Sequence, residues 1–222
     1  MSRFAPLTTS KILMEIYNKL LESLGKQHWW PGKTSFEVMV GAILTQNTNW
    51  TNVEKAINNL KNEGLLSPQK LHQIAPERLA RLIKPAGYYN IKAKRLKNFL
   101  TWFIENYEGK VDNMAKASKE SIREELLSVT GIGPETADSI ILYALFKPTF
   151  VVDAYTYRIF SRHNLIPEES VYDEIKTFFE DNLQEDVTLF NEYHALLVRL
   201  GKEYCKKTKP LCNQCPIKPL FS

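Results

Sequence analysis

Long apolar runs are absent from this sequence, and so are the marks of a secreted protein. No stretch of its 222 residues approaches the ~18 consecutive apolar residues of a membrane span. The first ten residues lack the apolar core of a signal peptide. We therefore expect a cytoplasmic protein with no membrane partner.

Cysteine is scarce, and acidic and basic residues nearly balance. The three cysteines of an intracellular chain are expected to be reduced thiols or metal ligands. A net charge of +4 is too weak to indicate a nucleic-acid partner by itself. Basic side chains do cluster within residues 92–97 and 202–218. Each cluster is a candidate DNA contact, with ordinary solvated surface as the alternative.

Alternating strand patterns are also scarce, whereas apolar residues recur at helical spacing along the chain. On the segment Thr8–Leu24, for example, Ile12, Ile16 and Leu20 fall on one stripe. The sequence therefore predicts an all-α protein without internal repeats. Further helices are predicted at residues 34–44, 49–61, 88–107, 121–129, 134–145, 153–163, 170–182 and 186–202.

A Gly-x-Gly turn separates the segments 121–129 and 134–145, which both carry apolar residues at helical spacing. Pro134 suits the first position of the second helix, because its missing N–H has no helical partner there. Such a helix–hairpin–helix can hold a DNA phosphate, since glycines allow a tight turn and unpaired N–H groups point at the anion. The predicted DNA-binding residues of the hairpin are Gly131, Ile132, Gly133 and Thr136.

Asp153 follows the hairpin after the apolar residues 150–152. An aspartate at the start of a helix is a good N-cap, and that role alone is one interpretation. The helix dipole also favours its ionised form. An ionised carboxylate beside a bound nucleotide can stabilise a positively charged sugar or orient a water for attack. We therefore predict that Asp153 is the catalytic residue.

Together these residues resemble the endonuclease III superfamily of DNA glycosylases, whose shared mark is a helix–hairpin–helix, a Gly/Pro-containing loop and a catalytic Asp. The resemblance extends over nearly the whole chain. Residues 36–48 resemble the second helix of that family, residues 87–94 its Gly-x-Tyr-Asn-x-Lys-Ala segment, and residues 202–215 its iron–sulfur loop.

The resemblance implies two helical parts flanking a DNA-binding cleft. Residues 28–147 are expected to form a six-helix barrel with the hairpin. Residues 1–27 and 148–222 are expected to form the second part, with a vestigial iron–sulfur loop. The implied partner is double-stranded DNA containing damaged bases, bound by a monomer associated with the nucleoid.

One departure from the family pattern concerns strand cleavage. Bifunctional members carry a lysine in the second hairpin helix that forms a Schiff base with the sugar. Glu135 stands at that position, and a carboxylate cannot form an imine. The resemblance therefore implies a monofunctional glycosylase without AP lyase activity. Lys147 is an alternative amine, although no motif supports it.

A second departure concerns the cysteines. Cys205, Cys212 and Cys215 match three positions of the iron–sulfur pattern of the family, and Phe221 stands at the fourth. A [4Fe–4S] cluster normally takes four thiolates. We expect a metal-free vestige. The alternatives are a residual cluster with another ligand and a zinc site of three cysteines and a histidine; His194 is expected to be a structural helix residue.

Four residues before and after the second helix restrict the expected class of damaged base. Trp29, Trp30 and Pro31 before the second helix, and Trp50 after it, resemble the base pocket of the 3-methyladenine glycosylase branch, which has Phe where Trp50 stands. Hydrophobic core is the alternative for the tryptophan pair. N3-methylation makes adenine cationic, and aromatic faces attract cations. Gln46 is implied as a wedge that fills the space left by a flipped base.

The expected reaction is hydrolysis of the N-glycosidic bond of an alkylated purine, 3-methyladenine, in base excision repair. No cofactor is expected beyond a monovalent cation at the hairpin. Three alternatives remain. A glycosylase for oxidised or deaminated bases is disfavoured by Glu135. A mismatch-adenine glycosylase would need a glutamate where Gly41 and Ala42 stand. A catalytically silent DNA-binding protein would use the hairpin alone.

Overall fold

Helices are the regular elements of this protein. The computed structural model describes residues 8–29 and 32–221, and within those ranges it contains no β-strand. The predicted all-α class is confirmed. Trp30 and Pro31, two predicted pocket residues, lie outside the described residues. No helix in the described ranges is long and apolar enough to cross a membrane.

Twelve α-helices follow one another along the described chain. They are α1 (Thr9–Leu24), α2 (Ser35–Leu44), α3 (Trp50–Asn62), α4 (Pro68–Gln73), α5 (Pro76–Leu82), α6 (Tyr89–Tyr107), α7 (Val111–Ala115), α8 (Lys119–Ser128), α9 (Pro134–Ser139), α10 (Ala154–Arg162), α11 (Tyr172–Glu180) and α12 (Val187–Glu203). The chain divides into two compact units, one formed by Met1–Trp29 with Pro148–Ser222 and one by Trp30–Lys147.

Helix α2 lies at the centre of the unit Trp30–Lys147. Its residues Val38–Val40 are at most 1% exposed, and Ile43 and Leu44 are fully buried. A helix that is apolar on all sides must be surrounded by others, and α2 packs against α3, α6 and the segment Ile140–Ala144. The residues that follow α2, Gln46 among them, are therefore anchored to the core of the unit.

The hairpin pairs α8 with α9. Helix α8 begins after Ser118, whose hydroxyl accepts the N–H of Ser121 at 3.1 Å. Helix α9 is α-helical only as far as Ser139, and Ile140–Ala144 forms a turn of π-helix. The single α-helix predicted over residues 134–145 is therefore wrong in its second half. All five residues of the π-helical turn are buried.

Aromatic packing fixes the unit Met1–Trp29 with Pro148–Ser222. The ring of Phe150 stacks on Phe179 with 3.9 Å between centroids, and Tyr193 donates its hydroxyl to the carbonyl of Leu13 at 2.8 Å. Helices α10 and α12 touch at Gly201, where an added Cβ would lie 2.3 Å from Cδ1 of Tyr155. The last of these contacts places Tyr155, in the first turn of α10, directly against α12.

Candidate active site

Asp153 is the N-cap of α10, and one of its carboxylate oxygens is fully engaged in that role. Its Oδ1 accepts the backbone N–H of Tyr155 at 2.9 Å and that of Thr156 at 2.8 Å. The hydroxyl of Thr156 donates to the same oxygen at 3.1 Å. Three donors on Oδ1 fix the orientation of the carboxylate and leave Oδ2 for other interactions.

The second oxygen, Oδ2, faces His194 on α12. The distance from Oδ2 to Nε2 of His194 is 3.6 Å, which is an ion-pair distance and longer than a hydrogen bond. The side chain of Asp153 is 12% exposed and that of His194 7%. Burial acts to raise the pKa of Asp153, but His194 and the N–H and O–H groups of Thr156 outweigh it and hold the pKa below its ordinary value.

Trp29 completes this group in the same unit. Its indole stacks on the imidazole of His194, with 5.6 Å between ring centroids and 29° between planes. Trp29 is half-buried, so part of its surface remains accessible to a ligand. The structure thus brings a predicted catalytic residue and a predicted pocket residue together through His194.

His194, predicted to be a structural helix residue, lies on α12 and faces Oδ2 of Asp153, a position that the sequence did not indicate. Its position follows from the way α12 packs on α10. His194 and Gly201 are seven residues apart on α12 and therefore lie on the same helix face. Gly201 is where α12 meets α10, so the face that carries His194 is the face turned towards Asp153.

In the hairpin, Gly131 is the residue that requires glycine. Its φ is +101°, and an added Cβ would lie 2.3 Å from Cγ of Arg95. Gly133 has φ −99°, which other residues adopt readily. Ile132 was predicted to contact phosphate, but its backbone N–H is used within the turn. Its N–H bonds to the carbonyl of Val129 at 2.9 Å and its side chain is 5% exposed, so Ile132 closes the turn.

Gln46 is bonded to the hairpin rather than free in solvent. Its Nε2 donates to the carbonyl of Gly131 at 3.1 Å and to the hydroxyl of Thr136 at 3.0 Å. Arg95 donates its Nη1 to Oε1 of Gln46 at 2.5 Å. The predicted wedge residue and two predicted hairpin residues therefore belong to one network, which also contains Arg95.

Trp50 opens α3 and packs on α2. An added Cβ on Gly41 would lie 3.1 Å from Cη2 of Trp50, so the indole fills the space beside that glycine. Trp50 is half-buried. Glu135, at the position of the absent lyase lysine, lies in the first turn of α9 and is exposed.

The basic cluster at residues 92–97 is a candidate DNA contact, and two of its lysines bond to backbone carbonyls of the protein. Lys92 is 1% exposed and donates to the carbonyls of Leu44 at 2.8 Å and Ala86 at 2.7 Å. Burial and then the charge of Arg95 lower the pKa of Lys92 to about 8. Lys97 donates to three carbonyls at the end of α4, including that of His72 at 2.6 Å. These lysines stabilise helix C-termini.

The cysteine loop is held by arginines of α10. Arg158 donates to the carbonyls of Cys205 at 2.8 Å and Gly201 at 3.1 Å. Arg162 donates to the carbonyls of residues 206 and 207 at 2.8 and 2.9 Å and to Sγ of Cys205 at 3.3 Å. Phe221 stacks on His163 with 4.0 Å between ring centroids.

The donor set of this loop does not fit a four-thiolate cluster. Cys205 is buried, Cys212 exposed and Cys215 half-buried, and burial raises the pKa of the Cys215 thiol, as do the two neighbouring cysteines. In the sequence, Phe221 stands at the fourth position of the cysteine pattern. Within residues 8–29 and 32–221, no three His, Cys, Asp or Glu side chains are grouped so as to hold a metal ion.

Comparisons with known proteins identify the family. The sequence model of the HhH-GPD superfamily base excision DNA repair proteins matches residues 40–185. A Methanocaldococcus jannaschii protein, named provisionally as a DNA repair glycosylase, is 54% identical over 210 residues, 94% of each chain. Endonuclease III of Thermotoga maritima is 32% identical over 183 residues, covering 82% of this chain and 80% of its own.

Two solved structures share the fold. The H. pylori 3-methyladenine DNA glycosylase bound to 1,N6-ethenoadenine superposes with a TM-score of 0.75 at 32% identity, covering 89% of this chain and 98% of its own. A non-covalent endonuclease III–DNA complex superposes with a TM-score of 0.82 at 21% identity, covering 97% of this chain and 95% of its own.

Proposed function

The chain belongs to the HhH-GPD superfamily of base excision DNA repair proteins and is a DNA glycosylase; from that premise we propose that it hydrolyses the N-glycosidic bond of alkylated purines, 3-methyladenine foremost, without cutting the strand. The observation that carries the proposal is the group of Asp153, His194 and Trp29. It places an oriented carboxylate beside an imidazole that is itself covered by an accessible indole.

The proposed chemistry needs little acid catalysis. Alkylation at N3 makes adenine cationic, so the C1′–N9 bond breaks with both of its electrons moving to a purine that leaves neutral. The sugar is left as an oxocarbenium ion, which the Asp153 carboxylate stabilises. A water oxygen then bonds to C1′, and its proton passes to solvent or to Oδ2. The product is an abasic site.

The low pKa of Asp153 assigns it chiefly an electrostatic role. A carboxylate whose pKa is depressed is a weak base. It is therefore poorly suited to abstract a proton from an intact water molecule. An ionised group with a fixed orientation is well suited to a developing positive charge, because it needs no reorganisation during the reaction. Hydrogen bonds to Oδ1 supply that fixed orientation.

Trp29 supports the choice of an alkylated base. A cationic purine gains more from stacking on an indole than a neutral one does. The 3-methyladenine glycosylase of H. pylori is 32% identical to this chain, which favours the same substrate class. Trp50 and the undescribed Trp30 and Pro31 are proposed as pocket residues by resemblance to that branch.

The absence of strand cleavage is proposed from Glu135. An exposed carboxylate at the start of α9 offers no amine for a Schiff base. The final nucleophile is then water. The damaged duplex is proposed to bind through Gly131, Gly133 and Thr136 of the hairpin, and a monovalent cation there remains a prediction.

The test is base release from methylated DNA, with chromatographic identification of the bases. Wild-type protein should release 3-methyladenine, and Asp153→Asn should reduce the rate at least ~100-fold, as expected when charge stabilisation is removed. Asparagine is also a good N-cap, so the variant should fold and bind duplex DNA. Equal rates for the two proteins would remove Asp153 from the chemistry. Release of only oxidised or deaminated bases would overturn the substrate class.

A further inference from the structure

Both N–H donors of the Gln46 amide have acceptors, and its carbonyl oxygen accepts from Arg95. A glutamine amide has two N–H donors and an acceptor oxygen. Both donors are used, by the carbonyl of Gly131 and the hydroxyl of Thr136. The oxygen accepts from Arg95. The amide cannot be turned over, because a guanidinium only donates and a carbonyl only accepts.

Arg95 contacts the hairpin along its stem as well as through its head. Its Cγ, Cδ and Cβ lie within 2.3 to 3.1 Å of the point where Gly131 would carry a Cβ. One turn further along α6, Asn98 donates to the carbonyl of Thr130 at 2.9 Å. Helix α6 therefore grips the hairpin turn at two successive positions on one face, and Arg95 is the one that also reaches Gln46.

The hydrogen bonds of Gln46 also reach the part of the hairpin that is proposed to bind a DNA phosphate. Thr136 lies in the first turn of α9 and Gly131 in the turn itself, which are the parts of a helix–hairpin–helix that bind an anion. Gln46 is thus presented at the DNA-contacting end of the unit in one orientation. A side chain already ordered before binding loses little conformational entropy when it enters the duplex.

We propose that Arg95 is a positioning residue for base flipping, which holds Gln46 against the hairpin so that the amide is ready to fill the space left by the flipped base. Arg95 acts through Gln46 and makes no required contact with phosphate. This inference rests on the proposed DNA glycosylase function.

The experiment is a double-mutant cycle with Gln46→Ala and Arg95→Met. Methionine keeps most of the stem that covers Gly131 and removes the guanidinium. The probe is a duplex with one 1,N6-ethenoadenine, a fluorescent alkylated purine whose emission rises when it leaves the base stack. All proteins also carry Asp153→Asn, so that the base is not released during the measurement.

We expect Arg95→Met to lower the flipped fraction relative to the stacked one by roughly tenfold, the loss of one charge-assisted hydrogen bond. The double variant should be no worse than Gln46→Ala alone, because Arg95 would have nothing left to position. The dependence of binding on salt should be unchanged in Arg95→Met. Arg81→Met, which alters an exposed arginine of α5 outside the two basic clusters, should leave the flipped fraction unchanged.

Additive effects in the cycle, together with a salt dependence reduced by about one phosphate, would show that Arg95 binds DNA directly and would overturn the inference. Arg95→Met with a normal flipped fraction would overturn it as well. If the background protein neither binds this duplex nor unstacks the probe, the proposed function fails first, and that outcome is distinct from either result of the cycle.

Discussion

Nε2 of His194 lies 3.6 Å from Oδ2 of Asp153, so the two oxygens of this carboxylate have different partners. Oδ1 is bonded to the helix that Asp153 begins, and Oδ2 faces a different helix. A capping aspartate and a catalytic aspartate are therefore compatible in one residue, since each role uses its own oxygen. Capping of α10 accounts for the hydrogen bonds of Oδ1, and Oδ2 is the oxygen that takes part in the proposed chemistry.

The first prediction concerns His194. In His194→Phe the burial of Asp153 persists while the partner of Oδ2 is lost, so the pKa of Asp153 should rise. The proposed mechanism requires ionised Asp153, and base release should therefore decline at a higher pH in His194→Phe than in wild type as the solution is acidified. His194→Gln, which keeps an N–H donor, should fall between the two. Single-turnover rates across the acidic range measure this. A uniform loss of rate with an unmoved acidic limb would mean that His194 acts only by supporting Trp29.

The second prediction concerns Trp50. Trp50→Ala should lower the rate of 3-methyladenine release by about tenfold, because stacking of a cation on an indole contributes roughly 0.5–2 kcal/mol, while the affinity for undamaged duplex should stay the same. Trp50→Phe should retain most of the activity, because it keeps an aromatic face beside Gly41. Excision assays and duplex-binding titrations run in parallel test both statements. Equal losses in the two assays would indicate a general DNA contact.

The third prediction concerns strand cleavage. Wild-type protein should form no covalent adduct with damaged DNA when borohydride is present, because Glu135 supplies no amine. Glu135→Lys should become trappable at its new side chain, with Glu135→Gln as the matched control that removes the charge without adding an amine. Gel analysis of trapped complexes decides the matter. Efficient trapping of the wild-type protein would point to another lysine, with Lys147 the first to examine.

The fourth prediction concerns Lys92 and pH. Its pKa is about 8 in the folded protein against 10.5 for an ordinary lysine. Between these values the unfolded chain holds a proton that the folded protein has released, so Lys92 contributes increasing stability as the pH rises through that window. Lys92→Met leaves the carbonyls of Leu44 and Ala86 without this donor. The free energy of unfolding should therefore fall, and the gap to wild type should widen from pH 8 to 10.5. Urea titrations at both ends of the window measure it; a constant gap contradicts the assignment.

The fifth prediction concerns the cysteine loop. We predict that the purified protein carries no iron and no visible iron–sulfur absorption, and that Cys212→Ser leaves stability unchanged because that side chain is exposed. Arg162→Met should cost roughly 1–3 kcal/mol, since it removes donors to the backbone of the loop. Thermal unfolding and iron analysis provide the measurements. Stoichiometric iron that is lost from Cys212→Ser would establish a cluster with three cysteines.

Local sequence signals predicted local structure well. The helix–hairpin–helix and the capping position of Asp153 depend on neighbouring residues, and the turn at Gly131 follows from the conformational freedom of glycine. The π-helical turn after Ser139 was not predicted, because apolar residues at helical spacing do not distinguish a π-helix from an α-helix over so short a segment.

Relationships between distant segments were not predictable in the same way. His194 meets Asp153 from a helix more than thirty residues later, and Arg95 meets Gln46 from another helix. The basic cluster at residues 92–97 left two interpretations open for the same reason. Charge along the sequence indicates DNA, but whether a lysine faces solvent or the carbonyls of another helix depends on the packing of the chain.

The contact between Gly201 and Tyr155 makes the proposed chemistry depend on the spacing between α10 and α12. With no side chain at position 201, α12 rests directly on α10, and the backbone itself sets the gap across which His194 and Asp153 face each other. A single methyl group at this position would clash with Tyr155. It would push the two helices apart and lengthen the distance between His194 and Asp153. Loss of repair would then originate at a residue outside the proposed base pocket.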